Sequence, residues 1–143
     1  MKTVIDILRA KGDEVYTVEP QVTVFEALKK MAENDIGALV VVEAGRVVGI
    51  FTERDYTRKM ILKDRSSRDT PVRKVMTEHV ITVDPATTIE VCMDLIVHRH
   101  ISHLPVIENN QLIGIISIGD ILKAVIFGHV RLLEYQDSLV FGR

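Results

Sequence analysis

The feature that most constrains this chain is an internal repeat. Val15-Tyr16-Thr17-Val18-Glu19-Pro20 returns as Val80-Ile81-Thr82-Val83-Asp84-Pro85, 65 residues later. The same offset pairs Thr23 with Thr88, Ile36 with Ile101, Leu39 with Leu104, Gly49-Ile50 with Gly114-Ile115, and Asp55 with Asp120. Across residues 15–56 and 80–121, 12 of 42 positions are identical without a gap, and others swap like for like, such as Thr52 with Ser117. One register held over that length marks a duplication. A chain of 143 residues then has room for two small units and little else.

Each copy reads the same way. A short extended piece ends at Pro20 or Pro85, and Thr23 or Thr88 stands where a helix N-cap is wanted. The helix that follows carries Val24, Leu28, Met31 and Ala32 on one face, or Ile89, Met93, Ile96 and Val97 in the second copy. Two β-rich runs come next, joined by Glu43-Ala44-Gly45-Arg46 or Glu108-Asn109-Asn110-Gln111, links short enough for hairpins. A second helix begins at Thr52 or Ser117. The expected fold is α+β: a tandem pair of β-α-β-β-α units packed through their sheets. An amphipathic N-terminal helix with Val4, Ile5 and Leu8 inward is assigned to the first unit, residues 1–64. A polar linker fills 65–71, the second unit fills 72–130, and a helical tail is expected over 131–143.

Composition narrows the function classes. Hydrophobic residues make up 47% and charged residues 27%, the balance of a globular chain. A formal charge of −2 argues against a strongly basic nucleic-acid footprint. The longest run without Asp, Glu, Lys or Arg covers residues 109–119, too short for a bilayer. Asp6, Arg9, Lys11 and Asp13 interrupt any apolar leader, and Cys92 stands alone, so the expectation is a soluble cytoplasmic protein without a disulfide. Neither a Gly-x-Gly-x-x-Gly nor a Gly-Lys-Ser/Thr sequence occurs.

The paired endings Gly49-Ile50-Phe51-Thr52-Glu53-Arg54-Asp55 and Gly114-Ile115-Ile116-Ser117-Ile118-Gly119-Asp120, with His103-Leu104-Pro105-Val106 ahead of the second, resemble the cystathionine-β-synthase (CBS) domain. Two such domains form a Bateman module, and this chain resembles small stand-alone bacterial signal-transduction members. The resemblance implies a regulatory module, not an enzyme. It implies an adenine-nucleotide ligand (AMP, ADP, ATP, NAD or S-adenosylmethionine) bound in clefts between the units. It also implies a homodimer and a separate regulated protein. The alternatives are a structural dimerisation module with dead sites and, further off, an enzyme acting on a nucleotide.

Thr52 with Asp55, and Ser117 with Asp120, are the sharpest candidates. One carboxylate can accept from both hydroxyls of a ribose, and a hydroxyl at a helix start sits among free N–H groups that favour an anion. Ser/Thr-x-x-Asp is equally a capping pattern, and both roles can coexist. The resemblance adds His103 as a basic group toward phosphate, with Ala38 as its counterpart in the first copy, so the two sites should differ. Arg54, Arg58 and Lys59 would either compensate near the first site, reach phosphates across a dimer, or form a solvated basic helix face. Thr17 and Thr82 are similar to strand residues lining an adenosine slot, and Ile36 and Ile101 would flank the base or simply fill the core. The glycines Gly49 and Gly114, inside β runs, suggest a bulge or a close approach of backbone to a ligand. His98, Arg99, His100 and His103 lack the spacing that sets metal ligands on one helical face, so a solvated helix end is expected there.

Overall fold

The computed structural model describes residues 2–127. The tail expected over 131–143 lies outside the described residues. Helix α1 (Val4–Lys11) leads into a three-stranded sheet and its two helices: β1 (Thr17–Val18), α2 (Val24–Glu33), β2 (Ala38–Glu43), β3 (Arg46–Thr52) and α3 (Glu53–Lys59). Short 3₁₀ turns at Ile61–Lys63 and Val72–Lys74 flank the linker. The second unit holds α4 (Ile89–Arg99), β4 (His103–Glu108), β5 (Gln111–Ser117) and α5, helical over residues 118–127.

Local chemistry fixes these elements. The hydroxyls of Thr23 and Thr88 accept the N–H groups of Glu26 and Val91 and start α2 and α4. Both hairpins turn on two residues at positive φ, Ala44 with Gly45 and Asn109 with Asn110, the backbone that a tight two-residue loop demands. The hairpins share one register. Ala38 faces Thr52 as His103 faces Ser117, and each ladder slips once, between Val41 and Val42 and between Val106 and Ile107.

The units are not copies at the leading strand. In the first, β1 runs parallel to β2, and the Val40 N–H donates to the Tyr16 carbonyl at 3.2 Å. The residue equivalent to Val40 is Pro105, which has no N–H to give. The expected strand at residues 80–83 therefore shrinks to a single parallel bridge, Val83 to Val106.

Packing crosses the order of the sequence. Val4, Ile7 and Leu8 of α1 close the core of the second unit, with Ile89, Cys92, Ile96, Leu104, Val106, Ile116 and Ile121. Val72 and Val75, which lead into the second unit, close the core of the first, with Val24, Ala27, Met31, Leu39, Val41, Phe51 and Met60. Backbone bonds repeat the exchange. Val4 N–H donates to Thr87 and Ile5 N–H to Pro85, as Val72 N–H donates to Val22 and Arg73 N–H to Pro20. The strand glycines are spaces for these visitors. A Cβ at Gly114 would lie 2.9 Å from the Leu8 side chain, and one at Gly49 would lie 2.5 Å from the Met76 sulfur. The close approach read at both glycines is thus made by protein, and the ladder slip opposite each is the bulge. The two sheets meet through β3 and β5.

Three face assignments change. In α1 it is Ile7, not Ile5, that joins Val4 and Leu8 in the core. In α2 Ala27 is buried and Ala32 exposed, and in α4 Cys92 is buried while Met93 and Val97 face outward. Helices α2 and α4 each present a narrow i, i+3, i+7 stripe to one small sheet, so the flanking apolar residues are left outside.

Leu8→Ala is expected to cost about 2–5 kcal/mol, the usual range for a buried leucine. Hydrogen exchange is the check. Protection should fall in α4, β4 and β5 before it falls in β2 and β3. Loss confined to the first unit would contradict the exchanged packing.

Candidate functional site

Two of the clefts between the units are related by the repeat offset. The first, about 300 Å³, is lined by Thr52, Arg54 and Asp55 of the first unit and by Val80, Ile81 and Ile101 of the second. The second, about 410 Å³, is lined by Ser117 and Asp120 of the second unit and by Val15, Tyr16 and Ile36 of the first. Each cleft therefore joins the helix start of one unit to the leading segment of the other. His103 lines both.

Helix capping holds the carboxylates in place. Asp55 Oδ2 accepts the Thr52 N–H at 3.0 Å, and Asp55 N–H donates to the Thr52 hydroxyl at 3.2 Å. Asp120 Oδ2 accepts the Ser117 N–H at 2.8 Å, and Asp120 N–H donates to the Ser117 hydroxyl at 3.1 Å. The capping role is thus present at both sites. Beyond it, the two differ. Asp55 is 6% exposed, and its Oδ1 also accepts from the Thr77 hydroxyl at 3.1 Å and meets Lys59 Nζ at 3.0 Å. Asp120 is more open. Its Oδ2 meets Lys11 Nζ at 2.7 Å, and among the described residues its Oδ1 takes no hydrogen bond.

The other candidates divide. Ile36 and Ile101 lie at the clefts, as do Arg54 and His103; the Arg54 guanidinium also donates to the His100 carbonyl. Thr17 and Thr82 do not. Thr17 lines a depression of about 740 Å³ on one flank of the first unit, and Thr82 lines a further cleft between the units, of about 420 Å³, beside Arg46, Val47 and Ile107. The larger volume of the first depression draws on one unit alone, so it offers no link between the two. The residues just before them, Val15 with Tyr16 and Val80 with Ile81, line the clefts instead. Their apolar side chains were the available signal. Lys11 and Thr77 were missed because they arrive on the exchanged lead-in segments, which no spacing within a repeat reveals.

The histidines disperse. His98 Nδ1 lies 2.9 Å from the Asp94 carbonyl on its own helix, His100 ends α4 in a left-handed conformation, and His103 enters the clefts. Among the described residues no group of three His, Cys, Asp or Glu side chains is placed to hold a metal ion. Burial holds the His103 pKa below its ordinary value, against the opposing pull of the Asp120 carboxylate. Burial also pushes the Asp120 carboxyl up, but the Lys11 ammonium and the Ser117 N–H together leave it below its ordinary value.

Two repeat-related units thus share two clefts, each with a Ser/Thr-x-x-Asp cap at its edge. The sequence matches the CBS domain over residues 3–61 and again over 72–126. The chain belongs to the CBS-domain family, as a tandem pair. It is 47% identical to a protein with CBS domains from Burkholderia ambifaria MC40-6, with a TM-score of 0.85 over 87% of this chain and 94% of that one. It is 38% identical over 149 residues to the Arabidopsis thaliana CBS domain-containing protein CBSX3, mitochondrial, covering 98% of this chain and 72% of the relative. It is also similar to the CBS domain pair of protein MJ0100, solved in complex with 5′-methylthioadenosine and S-adenosyl-L-methionine. That pair is 25% identical, with a TM-score of 0.78 over 90% of this chain and 98% of the other. No helix among the described residues is long and apolar enough to cross a membrane.

His103 gives a pH dependence. Its folded pKa lies below the ordinary 6.5, so the unfolded chain binds the proton more readily. The stability from the neutral imidazole is whole above pH 6.5 and drains away as pH falls below it. Thermal unfolding between pH 5 and 7.5 should show this slope, and His103→Gln should flatten it. An equal slope in the variant would refute the assignment.

Proposed function

We propose that this chain is a regulatory module that binds adenosine-containing ligands in its two clefts and passes the binding state to a partner protein. One observation carries the reading: each cleft takes its polar cap from one unit and its apolar wall from the other. An occupant would touch both units and favour the arrangement that fits it, and a ligand shifts such an equilibrium only by its differential affinity. Tyr16 with Ile36, and Ile81 with Ile101, offer the apolar slot that an adenine ring requires. Asp120 keeps Oδ1 for a ribose hydroxyl. The ligands named for MJ0100 share that adenosine core. AMP, ADP, ATP and NAD are the proposed candidates beside them.

A catalytic reading has less support. Asp55 and Asp120 line different clefts at repeat-equivalent positions, which favours two copies of one binding role over an acid/base couple. The Cys92 thiol occupies the core position of Ala27, where burial pushes its pKa up to about 11 and leaves it a poor nucleophile. A lone buried thiol suits a reducing cytoplasm.

We propose a homodimer as the working form. Near the end of α3 and along α5, Met60 and Ile121 are core, but Ile61, Leu62, Leu122, Val125 and Ile126 are exposed. Met93 and Val97 on α4 join them, Val97 at 64%. This is more open apolar surface than scattered exposure accounts for. Sedimentation at micromolar concentration should give a dimer; a monomer would refute it.

Asp120→Asn separates ligand contact from capping, because the amide keeps an acceptor for the Ser117 N–H but loses the charge. Titration calorimetry should show affinity at the second cleft lowered by roughly 1.5–3 kcal/mol, the worth of a hydrogen bond to a charged group. Unchanged affinity for every adenosine compound, with a lower melting temperature, would reduce Asp120 to a cap. Dimers that bind none of these compounds would return the chain to a structural dimerisation module.

A further inference from the structure

The two clefts match in position and oppose each other in charge. The first is lined by Arg54, Arg58, Lys59 and Arg99 against one carboxylate, Asp55. That carboxylate is spent on Lys59 and Thr77. Among the described residues Arg54, Arg58 and Arg99 form no salt bridge. The second cleft is lined by Glu14, Asp35 and Asp120 against one ammonium, Lys11. Lys11 pairs with Asp120 at 2.7 Å; Glu14 accepts from the Tyr16 hydroxyl at 2.8 Å, and among the described residues neither Glu14 nor Asp35 forms a salt bridge. His103, the basic group expected to draw phosphate to the second cleft, lines both, and burial favours its neutral form.

We infer that the clefts sort adenosine compounds by charge: the first takes a 5′-phosphorylated ligand, and the second takes an uncharged or cationic one. This rests on the adenosine reading above and adds the class of ligand for each cleft. A phosphate monoester carries about −1.5 to −2 charges at pH 7. A cleft lined mainly by one sign of charge raises the local concentration of ligands of the opposite sign, more so at low salt. Guanidinium groups suit the phosphate of the first cleft, because their planar donors reach two oxygens at once. In the second cleft a phosphate would meet Glu14 and Asp35 with no free cation to offset them. A methylthio group or a sulfonium carries no such penalty, and the sulfonium gains from the carboxylates.

The charge relation follows from chain order. Lys11 stands at the end of the lead-in that crosses to the second unit, whereas the other lead-in brings Thr77 to Asp55. The four cations of the first cleft come from α3 and from the end of α4, and the repeat equivalents of Arg54 and Arg58 are Gly119 and Lys123. Lys123 does not line the second cleft. The two clefts therefore occupy repeat-related positions while their linings differ in sign.

The test is titration calorimetry on the full chain with AMP, 5′-methylthioadenosine and S-adenosylmethionine, at low and at physiological salt. AMP should saturate at one per chain, weaken as salt rises, and bind alongside 5′-methylthioadenosine without competition. Arg54→Gln with Arg99→Gln should weaken AMP by about tenfold or more and leave 5′-methylthioadenosine unmoved. Both arginines are exposed, so the fold should tolerate the change. Glu14→Gln with Asp35→Asn should admit a second AMP and weaken S-adenosylmethionine. Two AMP per chain in the unaltered protein would overturn the sorting, as would direct competition between AMP and 5′-methylthioadenosine. So would equal losses of both ligands in the arginine variant. Binding of none of the three would instead overturn the adenosine reading and this inference with it.

Discussion

Two short segments hold this molecule together by closing cores that are not their own. Residues 3–8 cover the second unit, and residues 70–75 cover the first. The apolar side chains involved are Val4, Ile7 and Leu8 on one side and Val72 and Val75 on the other. Each is worth about 1.5–3 kcal/mol in removing surface from water. Gly49 and Gly114 make the exchange possible, because any side chain there would occupy the space of Met76 or Leu8. Everything else, from the meeting of β3 with β5 to the placing of Lys11 beside Asp120, depends on that crossing.

The clefts are a by-product of the same geometry. Once each unit is lidded by the other's lead-in, the helix starts at Thr52 and Ser117 stand opposite the extended segments around Ile81 and Tyr16. A cap is a rigid place to mount a carboxylate, since its own backbone partners fix the rotamer. The price of that rigidity is that one oxygen is committed to the fold, which leaves Asp120 with Oδ1 and Asp55 with neither.

Much of the architecture was legible because a duplicated sequence carries its own internal check. The N-caps at Thr23 and Thr88, the hairpin links and the helix starts at Thr52 and Ser117 all stand where the repeat puts them. What failed was information that a repeat cannot hold. The destination of α1 is a long-range choice, invisible in its amphipathic pattern, and so is the arrival of Lys11 and Thr77 at the clefts. Thr17 and Thr82 stand one residue along the chain from Tyr16 and Ile81, which line the two clefts. Met93 and Val97 were placed inside because an apolar side chain says that it prefers burial, not which surface will bury it. The shortened strand at Val83 was readable, since Pro105 stands where a ladder donor is needed.

The exchanged lead-ins also say what half of this chain would be. A single unit, carrying its own lead-in, would bring a lid that fits only a neighbour and a core that only a neighbour can close. Its stable form would be a symmetric pair of chains, with folding tied to concentration. Joining the halves by the stretch from Asp64 to Thr70 turns that encounter into an event within one molecule, at an effective concentration set by the tether. It also frees the halves from identity. Two copies of one gene product must present the same residue at both symmetry-related places, but a fused pair can hold a lysine at one and a threonine at the other.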